Sequence, residues 1–332
     1  MSQYSNISTN IISGFLGAGK TTAIKSLLLK KPASERWAVI VNEFGQVGVD
    51  GALLKNDKVE IKEIAGGCLC CVGSQSLSVG LNQIIRAVKP QRILIEPTGL
   101  GHPQKLVDSL SGEYYRSVLN LKAIINLLDA RQLTNSRYTD HPSFIDQVAL
   151  ADVLVANKAD TYSEDDRQRF YQYAASLSPP KDHVFMLEQA EIELEWLDFP
   201  RRTQRTAQFP HAHQHNEAKV AGECAMSDWT LVEGAMDGFY SAGWVINCRF
   251  VFIKGDLLNW LEQPGGLNDL QRIKGVLLTN EGYLCVNMTP GESDIRPCES
   301  ASRSILEFIS VSPLNGRDLD RQLKSLVFSS DN

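Results

Sequence analysis

The segment Gly14-Phe15-Leu16-Gly17-Ala18-Gly19-Lys20-Thr21 has the spacing G-x-x-x-x-G-K-[ST], which leaves a chain few ways to fold. Apolar residues Ile7, Ile11 and Ile12 precede it as a strand, and Thr22 to Leu29 follow it with helical spacing. Glycines at 14, 17 and 19 let the backbone curl so that successive N–H groups point inward around a phosphate. A helix starting at Lys20 adds its positive N-terminal end to the same anion. Lys20 is expected to reach the β- and γ-phosphates, and the Thr21 hydroxyl to ligate Mg²⁺. Gly14, Gly17, Ala18, Gly19, Lys20, Thr21 and Thr22 are therefore candidate nucleotide contacts.

Short apolar runs alternate with helical stretches after this loop. Ala38 to Val41, Val59 to Ile64, Ile93 to Ile95, Ala123 to Leu128 and Val153 to Ala156 read as buried strands. Ser76 to Val88, Pro103 to Leu110, Phe144 to Leu150 and Glu164 to Leu177 have helix-like spacing between them. The alternation predicts an α/β domain with a mostly parallel sheet flanked by helices and ligands at the carboxyl ends of the strands.

Two strand ends carry further chemistry. Asn157-Lys158-Ala159-Asp160 directly follows Val153 to Ala156. At such a position the Asp160 carboxylate can accept from the N1–H and 2-amino donors of guanine, while Asn157 and the Lys158 stem brace the loop. Adenine has no such donor pair, and a carboxylate facing an acceptor costs about 1–3 kcal/mol. Glu96, closing the strand Ile93 to Ile95, suits direct or water-mediated contact with Mg²⁺, and Gly99 can offer its N–H to a γ-phosphate. Lys20 and Glu96 are the candidate catalytic residues.

Composition narrows the class. The chain has 332 residues, enough for two domains of unequal size, with 43% hydrophobic and 22% charged residues. A net charge of −6 disfavours a nucleic-acid partner. The uncharged stretch Cys68 to Ile85 is broken by Ser, Gly, Gln and Asn, so no membrane span is expected and the cytoplasm is the expected compartment. Seven cysteines are present, with Cys68, Cys70 and Cys71 clustered after the strand ending at Ile64. Three thiolates this close suit a soft ion such as Zn²⁺ or Cu(I), with one tetrahedral position left for another residue, water or a client group. A chance cluster or a redox pair is the competing reading.

The α/β pattern falters from about Phe199 to Met226, a stretch that includes Pro210 and alternating His211, His213 and His215. The expected organisation is a first domain over 1–210, a His-containing linker over 211–226 and a smaller α+β domain over 227–332. In the last, Trp244 to Phe252, Val276 to Leu278, Tyr283 to Val286 and Ile305 to Val311 read as strands. Leu257 to Leu261 and Leu319 to Val327 read as helices. Cys285 is expected in the core, and Trp229, Trp244 and Trp260 in a core or interface. The three alternating histidines and His102 read more simply as solvated loop residues than as ligands.

Five segments in order, I-S-G-F-L-G-A-G-K-T-T, V-N-E-F-G, G-G-C-L-C-C, I-E-P-T-G and N-K-A-D, resemble the CobW-type P-loop metallochaperone GTPases, and within them the YeiR subgroup of zinc-binding GTPases. The likeness spans essentially the whole chain, with Arg272 to Gly275 resembling the family's small C-terminal domain. It implies GTP hydrolysis coupled to delivery or allocation of a metal ion to a metal-requiring client protein, with GTP, Mg²⁺ and Zn²⁺ as cofactors. It also implies Cys68, Cys70 and Cys71 as zinc ligands, and a mobile nucleotide-sensing segment at Asn42 to Gly45. Gln46 stands where many relatives have Glu, so Glu43 is the nearest carboxylate for zinc or magnesium. A metal- or nucleotide-dependent homo-oligomer is left open. Two readings compete: a zinc-sensing or zinc-storing module with incidental turnover, and an ATP-dependent transferase.

Overall fold

The computed structural model describes residues 5–41, 59–63, 73–97, 99, 103–209, 228–236, 239–262, 269–297 and 303–328. Glu43, Cys68, Cys70, Cys71, His102, His211, His213 and His215 lie outside them, as do Cys224 and Cys298. The chain divides into two compact units, one containing the described residues up to 209 and the other those from 228 onward.

In the first unit the strands are β1 (Ile7–Gly14), β2 (Trp37–Val41), β3 (Val59–Glu63), β4 (Arg92–Glu96), β5 (Leu119–Leu121), β6 (Ile125–Leu128), β7 (Val153–Ala156) and β8 (His183–Met186). They form one sheet in the order β3-β2-β4-β1-β6-β7-β8, with β5 also beside β1, and every pairing is parallel. Helices α1 (Lys20–Lys30), α2 (Gly73–Val88), α3 (Pro103–Ser111), α4 (Ser136–Thr139), α5 (Pro142–Leu150) and α6 (Glu164–Ser176) connect them. Strands β2, β4, β6 and β7 are buried at every position, as sheets covered on both faces require. Ile11, Ile40, Leu81, Ile84, Ile93 and Leu106 are among the side chains that fill one layer between sheet and helices. Local signals set helix starts. Ser163 and Asp166 form a reciprocal capping box on α6, and His141 accepts from the Ser143 N–H, with Pro142 opening α5.

Parallel strands all deliver their carboxyl ends to one edge of the sheet. The order reverses around β1: the chain goes from β1 to β2 on one side and from β4 to β6 on the other, which is where such sheets hold ligands.

After β8 the chain returns as a strap. Arg202 N–H donates to Asp152 at 2.9 Å, and the Arg205 guanidinium lies 3.4 Å from the same buried carboxylate. Ala207 N–H then donates to Gln104 of α3, and the N–H groups of Gln208 and Phe209 both donate to Asp146 of α5.

The second unit is a six-stranded antiparallel sheet in the order β13-β12-β11-β14-β10-β9. Its strands are β9 (Trp229–Met236), β10 (Phe239–Asn247), β11 (Leu270–Thr279), β12 (Gly282–Thr289), β13 (Glu292–Pro297) and β14 (Arg303–Ser310), with helices α7 (Lys254–Glu262) and α8 (Gly316–Ser325). Leu257 and Leu261 of α7 and Leu319 and Leu323 of α8 recur four apart and pack with Trp244, Phe252, Ile273, Leu277 and Phe308. Asp320 on α8 accepts from the indole N–H groups of Trp229 and Trp244 and from Lys324. Burial raises its pKa, but these donors outweigh that and hold it below the ordinary value.

Two expectations are corrected here. The strand expected over Trp244 to Phe252 ends at Asn247, whose side chain accepts from Arg249 N–H while Phe250 N–H turns back to its carbonyl. Phe252 reaches the core through single bridges to Thr279 and Val327 instead. Cys285 is half-buried on the opposite face of β12 from Leu284 and Val286, outside the packed side of the sheet. Among the described residues no helix is long and apolar enough to cross a membrane.

Phe308 is fully buried, with its ring 5.5 Å from Trp244 and 5.4 Å from Trp260. Phe308→Ala is expected to cost the second unit about 3–5 kcal/mol, measured by denaturant unfolding of the full chain.

Candidate functional site

The loop from Gly14 to Gly19 leaves β1 and enters α1 through three residues at positive φ: Gly14 at 150°, Gly17 at 72° and Gly19 at 92°. A Cβ on Gly14 would sit 2.5 Å from the Leu127 carbonyl oxygen. One on Gly19 would sit 2.3 Å from the Asn157 side-chain nitrogen. Gly19 is the N-cap of α1 and supplies no side-chain cap, so the first-turn N–H groups of this helix face the loop as anion donors. Lys20 is 4% exposed, and its ammonium donates to the carbonyls of Gly14 (3.0 Å) and Phe15 (3.3 Å). Phe15 anchors the loop from below: its ring meets Tyr138 at 4.6 Å, His141 at 5.0 Å and Phe144 at 6.1 Å.

The neighbouring strand ends converge on this loop. From β4, the Glu96 carboxylate is 1% exposed and accepts the Thr21 hydroxyl at 2.8 Å. A carboxylate and a hydroxyl at this distance beside a phosphate loop are hard oxygen donors of the kind that suits Mg²⁺. Gly99 is buried against Leu16, with its carbonyl held at 2.8 Å by Gln147 from α5. From β7, Asn157 donates its side-chain N–H to the Ala18 carbonyl at 3.0 Å and accepts from Ala190 N–H at 2.7 Å. Lys158 has φ 68°, and its ammonium lies 3.7 Å from Asp129 at the end of β6. Asp160 is exposed on the short 3₁₀ turn Ala159–Thr161, and Thr22 is exposed on α1.

Thus Gly14, Gly17, Ala18, Gly19, Lys20, Thr21, Glu96, Gly99, Asn157 and Lys158 come together at one edge of the sheet. The expected zinc ligands lie outside the described residues, but the strand ends that lead to them do not. Val41 pairs in register with both Glu96 and Glu63. In the sequence Asn42 and Glu43 follow β2 directly, and Cys68 comes five residues after Glu63 at the end of β3.

The motifs did not disclose Gln147, Asp129 or Tyr162. Tyr162 bridges two loops: its hydroxyl accepts Ala130 N–H at 2.8 Å and donates to the Asn157 carbonyl. Burial chiefly raises its pKa well above the usual phenol value, so the hydroxyl stays protonated. Asp129 had a signal in retrospect, because it follows the buried run Ile125 to Leu128 just as Glu96 and Asn157 follow theirs.

A glycine loop between a buried strand and an uncapped helix, with a carboxylate and an Asn-Lys-x-Asp segment at neighbouring strand ends, defines a P-loop nucleotide-binding protein. Residues 8–185 match the CobW/HypB/UreG nucleotide-binding domain, and the chain belongs to that family. It is 36% identical over 324 residues to the zinc chaperone YeiR of Escherichia coli K12, covering 96% of this chain and 97% of the relative. The zinc chaperone CobW of Pseudomonas aeruginosa is 28% identical over 225 residues, 58% of this chain and 60% of its own. Among solved structures, zinc-bound YjiA GTPase from E. coli aligns over 97% of this chain and 99% of its own, at 19% identity and a TM-score of 0.46.

Asn157→Ala would deprive the Ala18 carbonyl and the Ala190 N–H of a buried partner. Without any ligand the variant is expected to lose about 1–3 kcal/mol of stability, read as a lower thermal midpoint.

Proposed function

We propose that this chain binds GTP, hydrolyses it to GDP and phosphate, and couples the hydrolysis to delivery or allocation of zinc to a metal-requiring client protein. In this reading residues 1–210 carry the nucleotide, 211–226 are a linker and 227–332 form a second domain. The observation that supports it best is the Asn157 bridge. The first residue of the base-reading segment holds a carbonyl inside the phosphate loop, so both halves of a guanine nucleotide would meet one connected surface. Zinc enters from the Cys68-Leu69-Cys70-Cys71 cluster and from relatives that are named zinc chaperones.

In the proposed reaction the loop N–H groups and the α1 terminus bind the β-phosphate. The Lys20 ammonium exchanges its carbonyl acceptors for β- and γ-phosphate oxygens and stabilises charge on the transferring group. Asp160 accepts from guanine N1–H and the 2-amino group. Thr21 and Glu96 would hold Mg²⁺, which when bound neutralises phosphate charge. Gly99, fixed through Gln147 and packed on Leu16, offers its N–H to the γ-phosphate. Because Val41, Glu63 and Glu96 share one register, a change at the γ-phosphate reaches strands that lead directly to Glu43 and the cysteines. Zinc is cargo in this scheme, with Cys68, Cys70 and Cys71 as its ligands and Glu43 the nearest carboxylate.

Purified protein should turn over GTP slowly, with the rate rising on addition of zinc and Cys70→Ser losing that stimulation. Asp160→Asn should weaken GTP binding by about 10–100-fold, the range of one lost hydrogen bond to a charged group. Turnover of ATP as efficient as that of GTP, unchanged in Asp160→Asn, would replace this reading with an ATP-dependent one. Turnover insensitive to zinc in both proteins would leave a zinc-storing or zinc-sensing module.

A further inference from the structure

We infer that Tyr162 is a positioning residue for base selection, acting through the backbone of the Asn157 to Asp160 loop; this rests on the guanine reading above. The carboxylate expected to read the base sits on an exposed residue of a short turn, and a short exposed turn selects poorly unless its backbone is held. The structure shows how it is held. Tyr162 follows the turn directly and folds back beneath it, with only 9% of its surface exposed. Its hydroxyl donates to the Asn157 carbonyl and accepts the Ala130 N–H, so one oxygen joins the loop after β7 to the loop after β6.

The peptide it grips leads into Lys158, a non-glycine residue at φ 68°. Such a conformation persists only where surrounding contacts over-determine it. Asp129 supplies a second contact, 3.7 Å from the Lys158 ammonium. Asp129 is itself fixed by Arg131, through the backbone N–H and two guanidinium nitrogens. Ala159 is tied on both sides, its N–H donating to the Leu187 carbonyl at 2.9 Å and its carbonyl accepting from Arg167 at 2.7 Å. Asp160 is thus carried on a frame whose flanking residues are all anchored, and Tyr162 spans the frame's two supporting loops.

The contribution should fall on the base half of the ligand. The phosphate half rests on the glycine loop, Lys20, Thr21 and the α1 terminus, none of which hydrogen-bonds to Tyr162; its link to this frame, the Asn157 side chain on Ala18, is held separately by the Ala190 N–H. Removing the hydroxyl withdraws a partner from a buried carbonyl and a buried N–H, and lets the Lys158 peptide relax. Asp160 then pays the ordering cost at the moment of binding, which lowers affinity for the base it reads. Because the hydroxyl is protonated throughout the neutral range, the effect should not vary with pH there.

The experiment measures binding of GDP, ADP and pyrophosphate, each with Mg²⁺, to the full-length protein and to Tyr162→Phe by calorimetry. The expected result is GDP affinity reduced about tenfold, pyrophosphate affinity within about twofold of the parent, and a GDP-to-ADP preference reduced about tenfold. Equal loss for GDP and pyrophosphate, or an unchanged GDP-to-ADP preference, overturns the assignment. Should Tyr162→Phe fail to fold, Asp129→Asn decides, because it loosens Lys158 while keeping side-chain shape; it should lower the same preference and spare pyrophosphate. A parent protein that binds ADP as well as GDP rejects the guanine reading itself, before Tyr162 is at issue.

Discussion

The bridge made by the Asn157 side chain is the interaction on which the nucleotide site depends. A parallel sheet delivers all its carboxyl ends to one edge, but it does not hold the loops that leave that edge in fixed relation to one another. Asn157 does so with one amide group, joining the loops after β1, β7 and β8 through Ala18 and Ala190. Its closeness to Gly19 also explains why that position is glycine on two counts: φ 92° and the absence of room for any side chain. The glycine loop and the Asn157 loop therefore limit each other's sequence, although they lie more than a hundred residues apart.

Much of this was legible in the chain itself, and the reason is local. The glycine loop, Glu96 and the Asn157 segment each follow a run of buried aliphatic residues, so strand ends such as Ile93 to Glu96 and Val153 to Asn157 carry both the fold and the motif residues. What escaped notice has a different physical origin. Strands β9 and β13 are sheet edges without a clean apolar–polar alternation: Leu231 and Val232 are adjacent apolar residues in β9, and Glu292 to Pro297 offers only Ile295 as a core signal. Strand β8 is half-exposed throughout and packs by aromatic stacking, Phe185 on Trp196 at 3.8 Å. The strand expected through Phe252 ends at residue 247 in a single asparagine turn. Gln147 and Tyr162 act on carbonyls of other segments, and no spacing rule reveals a partner chosen by tertiary packing.

The two units use opposite solutions to the same problem. The first covers both faces of a parallel sheet and reserves one edge for polar side chains. The second closes an antiparallel sheet on one side with α7 and α8, and a half-buried carboxylate there is structural: Asp320 satisfies two indole N–H groups and a lysine. Among the described residues, the parallel strands of the first unit bring Glu96, Asp129 and Asn157 to a common edge.

The strap from Arg202 to Phe209 bears on where the nucleotide unit can be cut. Asp146 is fully buried and receives the N–H groups of Gln208 and Phe209, while Asp152 receives that of Arg202. A truncation ending at β8 would retain every strand of the sheet and still strip donors from two interior carboxylates. The smallest fragment that preserves this unit's interior therefore runs through Phe209, well past its last strand.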